Sequence, residues 1–534
     1  VRYTVNGDVP TTGSPLYTGP VSIPATDVVS VRAFQAGKLP SETVERTYFI
    51  NDPTTLPVVS VIAHSGDLFN DGTGGPGVYD NASGFTQSLT TGCSIQYFDA
   101  AHNMQFETDA SLTPVGNWSL GFPQKSLQFK YDEEYGATGD IPYNIFSLDK
   151  SWLGPSHGFR VRNTDDDWGS WYGTGARMRD LVSNRMAIST HSGTAAYQNC
   201  AVFINGEYWG HYAAREMLNT YFMRDNYGAD DAHVHMVKNS YPSQEYQAEV
   251  GTNTSFFEMS DFVINTDMSV ESNFQQATDL IDIENWVDYW ANEIYNNNQD
   301  WFPSIYFNNT RLAHAPEDGV KWKYILWDVG FSQGNAGSPW DDLLYQALEA
   351  PTVANRHTDM MKSLLENAEF KRYFINRFAD LLNWNWTTTK MHALIDACAV
   401  EIAPEIPRQD AAWGSGDFEY WQGQVDNLKD FHTERPAYQR EHIENYFELN
   451  GQVNITLNVT PANAGYVKIS TVTPTTYPWT GIYFNGNPVT VTAVPKPGYT
   501  FVNWSTNAFI SNLSQASFTA NFTANTTFTA HFTG

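Results

Sequence analysis

The hydrophobic periodicity of this 534-residue chain changes twice, and these changes constrain its fold more than any single motif. The first fifty residues alternate in the manner of β-strands, as at Val29, Val31 and Ala33. After Asn51–Pro57, which is typical of a linker, the apolar spacing becomes partly helical. Beyond residue 450 the chain returns to short strands rich in Thr and Asn. The sequence therefore predicts several domains, as its length also requires.

These changes set the expected boundaries. We expect a small all-β, sandwich-like module over residues 1–50, a linker over 51–57, a central domain over 58–450 and a second all-β module over 451–534. In the central domain, strand patterns precede amphipathic helices, which predicts an α+β fold with a helical C-terminal lobe. The expected elements include a hairpin turning at Asn205 and Gly206, a helix capped by Asp282, and one long helix over residues 359–382.

The charge distribution excludes some classes of partner. The formal net charge is −29, and from Gly451 onward there is no Asp or Glu and the only cations are Lys468 and Lys496. The acidic excess before residue 451 repels nucleic-acid phosphates and anionic lipid head groups, whereas it attracts cations such as Ca²⁺. No run of about 18 apolar residues is present, so we expect no membrane insertion.

Both ends of the chain resemble modules of secreted bacterial proteins. The stretch "YTVNGDVPTTGSPLYTGPVSIPATDVVSVRAFQAGKLPSE" resembles the chitobiase C-terminal-type module, without its first strand. The stretches "GNPVTVTAVPKPGYTFVNWS" and "ASFTANFTANTTFTAHF" resemble the divergent InlB B-type repeat of bacterial surface proteins, which usually serves as a spacer or stalk. These resemblances imply a secreted or surface-displayed bacterial protein, and the opening residues suggest a longer precursor.

A series of motifs in the central domain carries a third resemblance. In chain order they are "PQKSLQFKY", "FRVRNTDDDWG", "RMRDLVSNRMA", "VFINGEYWGHYAAREMLNTYF", "NNNQDW" and "WKYILWDVG". This series resembles the spore-coat CotH family of atypical protein kinases. The resemblance implies a kinase-like fold that transfers the γ-phosphoryl group of ATP, with Mg²⁺ or Mn²⁺, to Ser or Thr of extracellular or cell-surface proteins.

The resemblance also implies roles for four residues. Asp300 is expected to accept the hydroxyl proton and Asp328, which leaves a buried strand, to bind the metal. Lys125 is expected at the ATP phosphates. Glu216 is expected either to orient that lysine or to belong to the nucleotide pocket, and a salt bridge with Arg215 or Arg224 is the alternative.

Two departures from the family pattern leave the activity open. The family carries W-D-x-D, whereas this chain has Gly330 two residues after Asp328. The asparagines expected four or five residues after Asp300 are replaced, and Asn308 and Asn309 come later. The chain is therefore either a kinase with a weakened metal site or a non-catalytic structural or adhesive component that self-assembles or binds a cell surface. Glycan binding is a third interpretation, although most aromatic residues are expected to pack in cores.

Other patterns suggest further sites. Asp165, Asp166 and Asp167 are candidate Ca²⁺ ligands, but their spacing is not that of an EF-hand and favours a solvated loop. The set Arg162, Arg179 and Asp180 predicts a structural ion-pair network. His233 and His235 are predicted on one face of a strand, without a third metal ligand. The three cysteines allow at most one disulfide.

Overall fold

The computed structural model describes residues 1–72, 74–84, 86, 88–137, 139–169, 175–243 and 245–534. Unit 1 comprises Val1–Arg185, Ala195–Asp231 and Ile395–Asn427, and unit 2 comprises Met186–Thr194, Ala232–Leu394 and Leu428–Gly534. The strands are β1 Arg2–Thr4, β2 Asp27–Arg32, β3 Val44–Tyr48, β4 Val58–Ile62, β5 Thr91–Phe98, β6 Met104–Val115, β7 Ser126–Lys130, β8 Gly158–Arg162, β9 Tyr197–Ile204, β10 Glu207–Arg215, β11 His235–Asn239, β12 Gln247–Val250, β13 Thr310–Ala315, β14 Val320–Ile325, β15 Gln452–Thr460, β16 Gly465–Ile469, β17 Trp479–Phe484, β18 Val489–Pro495, β19 Thr500–Trp504, β20 Ser517–Ala520 and β21 Thr526–Thr533. The helices are α1 Ser65–Leu68, α2 Arg179–Ala187, α3 Thr220–Tyr227, α4 Thr254–Asn265, α5 Glu271–Leu280, α6 Ile283–Asn296, α7 Leu343–Glu349, α8 Arg356–Leu365, α9 Ala368–Asp380, α10 Thr388–Ile402, α11 Ile406–Trp413 and α12 Phe418–Tyr446.

The expected fold class is confirmed, with a mixed α/β central region, a helical C-terminal part and all-β sheets at both ends. At the N-terminus, β1, β2 and β3 form a three-stranded antiparallel sheet. Asp52, in the expected linker, accepts two hydrogen bonds of 3.0 Å from the guanidinium of Arg408. Leu56 is also buried, so this segment is anchored within unit 1.

Seven strands of unit 1 form a closed barrel in the order β10-β8-β7-β6-β5-β4-β9. The parallel pair β4 and β9 belongs to this ring, with Val58 opposite Ala201. Alternate residues of the strands supply the core, among them Val59, Val61 and Ile95, because successive side chains on a strand point to opposite faces. The alternation in the sequence therefore marks the inside of this barrel.

The hairpin of β9 and β10 turns where the sequence predicts. Asn205 (φ 50°) and Gly206 (φ 85°) both adopt left-handed backbone conformations, as a two-residue turn of this twist requires. A Cβ atom on Gly206 would lie 2.7 Å from the Cα of Asp27. Gly206 thus meets two demands, a positive φ and close packing against the N-terminal sheet.

In unit 2, a sheet of order β12-β11-β13-β14 accompanies the buried helix α6. The expected N-cap is present, because the Asp282 carboxylate accepts from the backbone N–H of Asn285 at 3.0 Å. Trp286, Trp290 and Ile294 are buried on α6. Polar residues of this helix are buried as well, which indicates a helix surrounded by protein.

The expected long helix over residues 359–382 is wrong, because the structure contains two helices, α8 and α9. The break occurs at Asn367, whose side-chain oxygen accepts from the backbone N–H groups of Glu369 and Phe370, both at 3.0 Å. Asn is a preferred N-cap residue, so it starts a new helix here instead of continuing the first. The apolar residues keep a helical spacing on both sides of Asn367, so the sequence pattern did not show the break.

The C-terminal module consists of the sheets β17-β15-β21-β19 and β16-β18-β20, and it packs closely within unit 2. The side chain of Asn383, in the π-helical turn after α9, forms two hydrogen bonds with the backbone of Ile482, 2.7 and 3.0 Å long. Asn376 donates to the carbonyl oxygen of Pro488 at 2.9 Å. The module is therefore docked on the helical part.

Among the described residues, no helix has the length and apolar character needed to cross a membrane. Cys93, Cys200 and Cys398 are all buried as free thiols. Burial raises the pKa of Cys398 to about 11, so its thiol is protonated at neutral pH.

His357 makes unit 2 sensitive to acid. It is fully buried, with hydrogen bonds of 2.9 Å to the Tyr324 hydroxyl and 2.7 Å to Asn239 Oδ1, and burial lowers its pKa to about 3. Because the unfolded chain takes up this proton at about pH 6.5 and the folded chain does not, stability falls as the pH drops from about 6.5 to 3. We expect thermal melting curves of the His357→Gln variant to show a smaller fall over this range than those of wild type. Equal slopes for His357→Gln and wild type would contradict this assignment.

Candidate active site

The loop between α6 and β13 carries Asp300, and buried aromatic residues fix its course. Asn297 caps the end of α6 with a left-handed backbone (φ 55°) that turns the chain out of the helix. Trp301 is fully buried and donates from Nε1 to the Tyr289 hydroxyl at 2.9 Å. Phe307 is buried as well. Asp300 therefore occupies a defined position on an anchored loop.

Three asparagines hold Asp300. Its Oδ2 atom accepts from the side-chain amides of Asn308 at 3.1 Å and Asn309 at 2.8 Å, while its backbone N–H donates to Asn298 Oδ1 at 3.0 Å. Amide donors on a carboxylate stabilise its charged form. The two asparagines that come later than the family pattern are thus brought to the expected catalytic aspartate. The loop folds back and places Asn308 and Asn309 beside the Asp300 carboxylate. Their spacing in the sequence alone did not reveal this.

Asp328 lies three residues beyond the end of β14, as the sequence predicts. Its backbone is left-handed (φ 62°), a conformation uncommon outside glycine but tolerated by Asp, and often found at functional sites. The Asn309 amide nitrogen lies 3.5 Å from the Asp328 carbonyl oxygen. Next to it, the Trp327 ring packs against the guanidinium of Arg311 at 4.2 Å. Asn309 therefore contacts both aspartates of the candidate site.

The described residues supply few metal ligands near Asp328. Among the described residues, no group of three or more His, Cys, Asp or Glu side chains is arranged to hold a metal. At the position of the family's second aspartate, the Gly330 carbonyl oxygen accepts from Asn335 Nδ2 at 3.1 Å. The Asp328 carboxylate and the Asn309 amide oxygen remain as candidate ligands. Mg²⁺ is often bound by one or two carboxylates, with substrate phosphates and water completing its shell.

In unit 1, Lys125 does not contact Glu216. It directly precedes β7, and its ammonium donates to the carbonyl oxygens of Leu120 at 2.7 Å and Phe122 at 3.2 Å. Burial lowers the pKa of Lys125, partly offset by the Asp80 carboxylate. Its ammonium therefore ties down the turn before the strand, and its role at the phosphates stays a prediction.

Glu216 pairs with Lys150, which the sequence analysis did not consider. Lys150 Nζ lies 2.9 Å from Glu216 Oε2, and both side chains are at least nine-tenths buried. Asn226 completes the cluster, accepting from Lys150 at 2.8 Å and donating to Glu216 Oε1 at 2.7 Å. Neither alternative partner, Arg215 or Arg224, forms this bond. No local signal in the sequence pointed to Lys150, because 66 residues separate it from Glu216.

Glu216 also lines a small cleft within unit 1, with a cavity volume of about 40 Å³. Its walls include Phe146, Phe222 and the stacked pair of His157 and Tyr221, whose ring centroids are 3.7 Å apart. This volume is far below the roughly 300–1,000 Å³ of typical small-ligand sites, so the cleft in this conformation is too small for a nucleotide. The expectation that Glu216 belongs to a nucleotide pocket therefore stays a prediction.

The expected ion-pair network is present, with a different pairing for one arginine. Arg162 and the Tyr197 hydroxyl both donate to Asp180 Oδ2, at 2.8 and 2.5 Å. Arg179 pairs instead with the buried Asp167, which also accepts from the backbone at the start of α2. Arg162 also pairs with Asp165. Two of the three candidate Ca²⁺ ligands thus have arginine partners, and the solvated-loop interpretation is wrong for the buried Asp167.

The two candidate histidines do not share a strand. β11 begins at His235, whereas His233 lies in the preceding 3₁₀ turn, 3.1 Å from the Asp318 carboxylate. His235 Nδ1 accepts from the backbone N–H of Thr252 at 3.1 Å. The shared face predicted from their spacing is therefore wrong, and each ring has its own partner.

Comparisons with known families agree with the three resemblances. A family model described as CotH kinase protein matches residues 112–439, more than half of the chain. The chitobiase/beta-hexosaminidase C-terminal domain model matches residues 1–45, and the divergent InlB B-repeat domain model matches residues 455–534. No curated protein matches the chain.

Proposed function

Since the chain belongs to the CotH kinase family, we propose that it transfers the γ-phosphoryl group of ATP to Ser or Thr hydroxyl groups of proteins. The observation that best supports activity is the contact of Asn309 with both the Asp300 carboxylate and the Asp328 backbone. One amide thus joins the residue expected to accept the proton to the residue expected to bind the metal, and phosphoryl transfer needs both groups at one site.

Each residue of the arrangement has a task in this proposal. The Asp300 carboxylate accepts the proton of the attacking hydroxyl, and the Asn308 and Asn309 amides orient it. The Asp328 carboxylate and the Asn309 amide oxygen would hold Mg²⁺ or Mn²⁺. When bound, the metal neutralises charge on the β- and γ-phosphates. Ca²⁺ is a further candidate ion, favoured by the acidic composition.

In unit 1, Lys150 is better suited than Lys125 to serve the phosphates. Its ammonium is oriented by a carboxylate and an amide, whereas that of Lys125 donates to two backbone carbonyl oxygens. A lysine held by a glutamate is a recurring part of kinase phosphate sites. We therefore assign Lys150 to the phosphates and Lys125 to the support of its turn.

This assignment predicts different kinetics for two matched variants. We expect Lys150→Met to lower kcat/KM for ATP by about a hundredfold, because a phosphate cation contributes on the order of 3 kcal/mol. Lys125→Met should lower the melting temperature but change kcat/KM of the folded fraction less than about threefold. Steady-state kinetics at varied ATP, together with melting curves, test both. The reverse order of effects would return the phosphate role to Lys125.

The protein substrates are proposed to be extracellular. The N-terminal and C-terminal modules match families that occur with secreted and surface proteins, which supports a secreted or cell-surface location and protein partners there. The test is transfer of labelled γ-phosphate from ATP, with Mg²⁺ and separately Mn²⁺, onto the protein itself and onto a mixture of secreted proteins. Label on either acceptor supports the kinase proposal. No label with either metal, and no rise in melting temperature with Mg-ATP, argues against it.

One observation favours a second candidate function, a non-catalytic structural or adhesive component. Gly330 stands where the family has a second aspartate, so one metal carboxylate is absent. Under this alternative the purified protein associates with itself or binds cells without nucleotide. Light scattering and cell-binding assays in the presence and absence of ATP separate the two functions.

A further inference from the structure

The loop that carries Asp300 also presents an exposed apolar pair. Ile305 is 60% exposed and Tyr306 41% exposed, although Phe302 and Phe307 on either side of them are buried. The buried pair anchors the loop, while Ile305 and Tyr306 keep much of their side chains exposed. Large exposed apolar residues grouped together often mark interaction sites.

A third side chain extends this surface. Tyr241 is 36% exposed, and its ring lies edge-on to that of Tyr306 with centroids 5.6 Å apart. We name Tyr241, Ile305 and Tyr306 the apolar platform. Two segments distant in the sequence thus contribute rings to one surface. Chance exposure of a single side chain does not explain this grouping.

The apolar platform is joined directly to the candidate catalytic carboxylate. Asn308 donates from Nδ2 to Asp300 Oδ2 at 3.1 Å, and its Oδ1 accepts from the backbone N–H of Tyr241 at 2.9 Å. The Asn308 side chain therefore contacts both the expected proton acceptor and the backbone of Tyr241, whose ring belongs to the platform. A hydroxyl group presented to Asp300 would bring the neighbouring residues of its own chain to this surface.

Resting on the proposed function, we propose that the apolar platform binds a large apolar side chain that flanks the phosphorylated Ser or Thr. The occupant is an extended protein segment with Leu, Ile, Phe or a similar residue beside the acceptor. That apolar side chain would pack against the rings of Tyr241 and Tyr306, which removes its surface from water. The platform thus selects acceptor sites by apolar contact.

The test compares two short peptides that share a central serine and differ only in a neighbouring leucine or glutamine. We expect wild type to phosphorylate the leucine peptide with a KM about fivefold lower, which corresponds to one aliphatic contact. Tyr306→Gln should raise the KM for the leucine peptide about fivefold, leave its kcat unchanged and not affect the glutamine peptide. Tyr345→Gln, at an exposed tyrosine of α7, serves as the control and should match wild type.

Equal KM values of wild type for the two peptides, or an equal loss for both peptides in Tyr306→Gln, would overturn the proposal. If no peptide is phosphorylated, the proposed kinase function fails, but the platform proposal is still testable. Fluorescence anisotropy then measures the binding of the two labelled peptides without catalysis. Tighter binding of the leucine peptide that Tyr306→Gln abolishes supports the platform even without catalysis. Binding that is equal for both peptides refutes it.

Discussion

We expect Asp328→Asn to reduce phosphoryl transfer at least about a hundredfold while leaving the fold intact. The substitution removes the carboxylate charge that would hold the metal on the phosphates, and losing several kcal/mol of charge stabilisation costs at least two powers of ten in rate. The backbone should not change, because Asn also tolerates the left-handed conformation that Asp328 adopts (φ 62°). Gly330 makes the effect larger, since no second aspartate stands two residues on to take over.

Transfer of labelled γ-phosphate by wild type and variant measures this effect, and melting curves check the fold. The matched control is Asp279→Asn, an exposed aspartate of α5 in the same unit, which should retain wild-type activity. Mg-ATP should raise the melting temperature of wild type and of the control more than that of Asp328→Asn. Undiminished transfer by Asp328→Asn would remove this residue from the mechanism.

The second large effect is expected at Asp380, where the C-terminal module docks. This carboxylate is fully buried at the end of α9, with Oδ1 accepting from the Tyr483 hydroxyl at 2.7 Å. Oδ2 accepts from the backbone N–H and the hydroxyl of Thr471, at 2.9 and 2.7 Å. Burial raises the pKa of Asp380, and these hydrogen bonds partly offset that rise. The Asp380 side chain thus connects α9 both to β17 and to the turn that follows β16.

Asp380→Ala should destabilise unit 2 by about 3 kcal/mol, because it leaves the buried Tyr483 hydroxyl without its acceptor and opens a cavity. Calorimetry should show a lower melting temperature, and limited proteolysis should cut the C-terminal module first. Asp430→Ala, at an exposed position of α12, is the control.

Tyr483→Phe removes the same bond from the side of the module. Because the two residues share one interaction, the cost of the double variant should be less than the sum of the single costs. Strict additivity, or a wild-type melting temperature for Asp380→Ala, would show that this contact does not hold the module in place.

Docking of the module also fixes neighbouring residues of the helical part. Arg377, one turn before Asp380, donates to the Thr471 hydroxyl at 2.7 Å and to both carboxylate oxygens of Asp288 at 2.7 and 2.8 Å. Burial raises the pKa of Asp288, but the hydrogen bonds from Arg377 and His191 outweigh it, so the pKa lies below its ordinary value. Asp288 belongs to α6, the helix that leads into the Asp300 loop. The C-terminal module is thus connected through side chains to the helix that precedes the candidate site.

The sequence by itself determined the parts of this protein that depend on local patterns. Strand alternation, the turn at Asn205 and Gly206 and the cap at Asp282 were all predictable, since they involve residues close in the chain. The positions of Asp300 after a helix and Asp328 after a strand followed from the same patterns. Local patterns failed at Asn367, where a cap interrupted continuous periodicity.

Only the tertiary structure decided which of these residues meet. The pairing of Lys150 with Glu216 spans 66 residues, and that of Tyr483 with Asp380 spans 103, so neither leaves a trace in local spacing. The return of Asn309 to Asp300 depends on a loop whose course is set by the burial of its aromatic residues. Long-range contacts of this kind depend on which charged groups and apolar surfaces become buried together in the folded chain. Local sequence patterns do not contain this information.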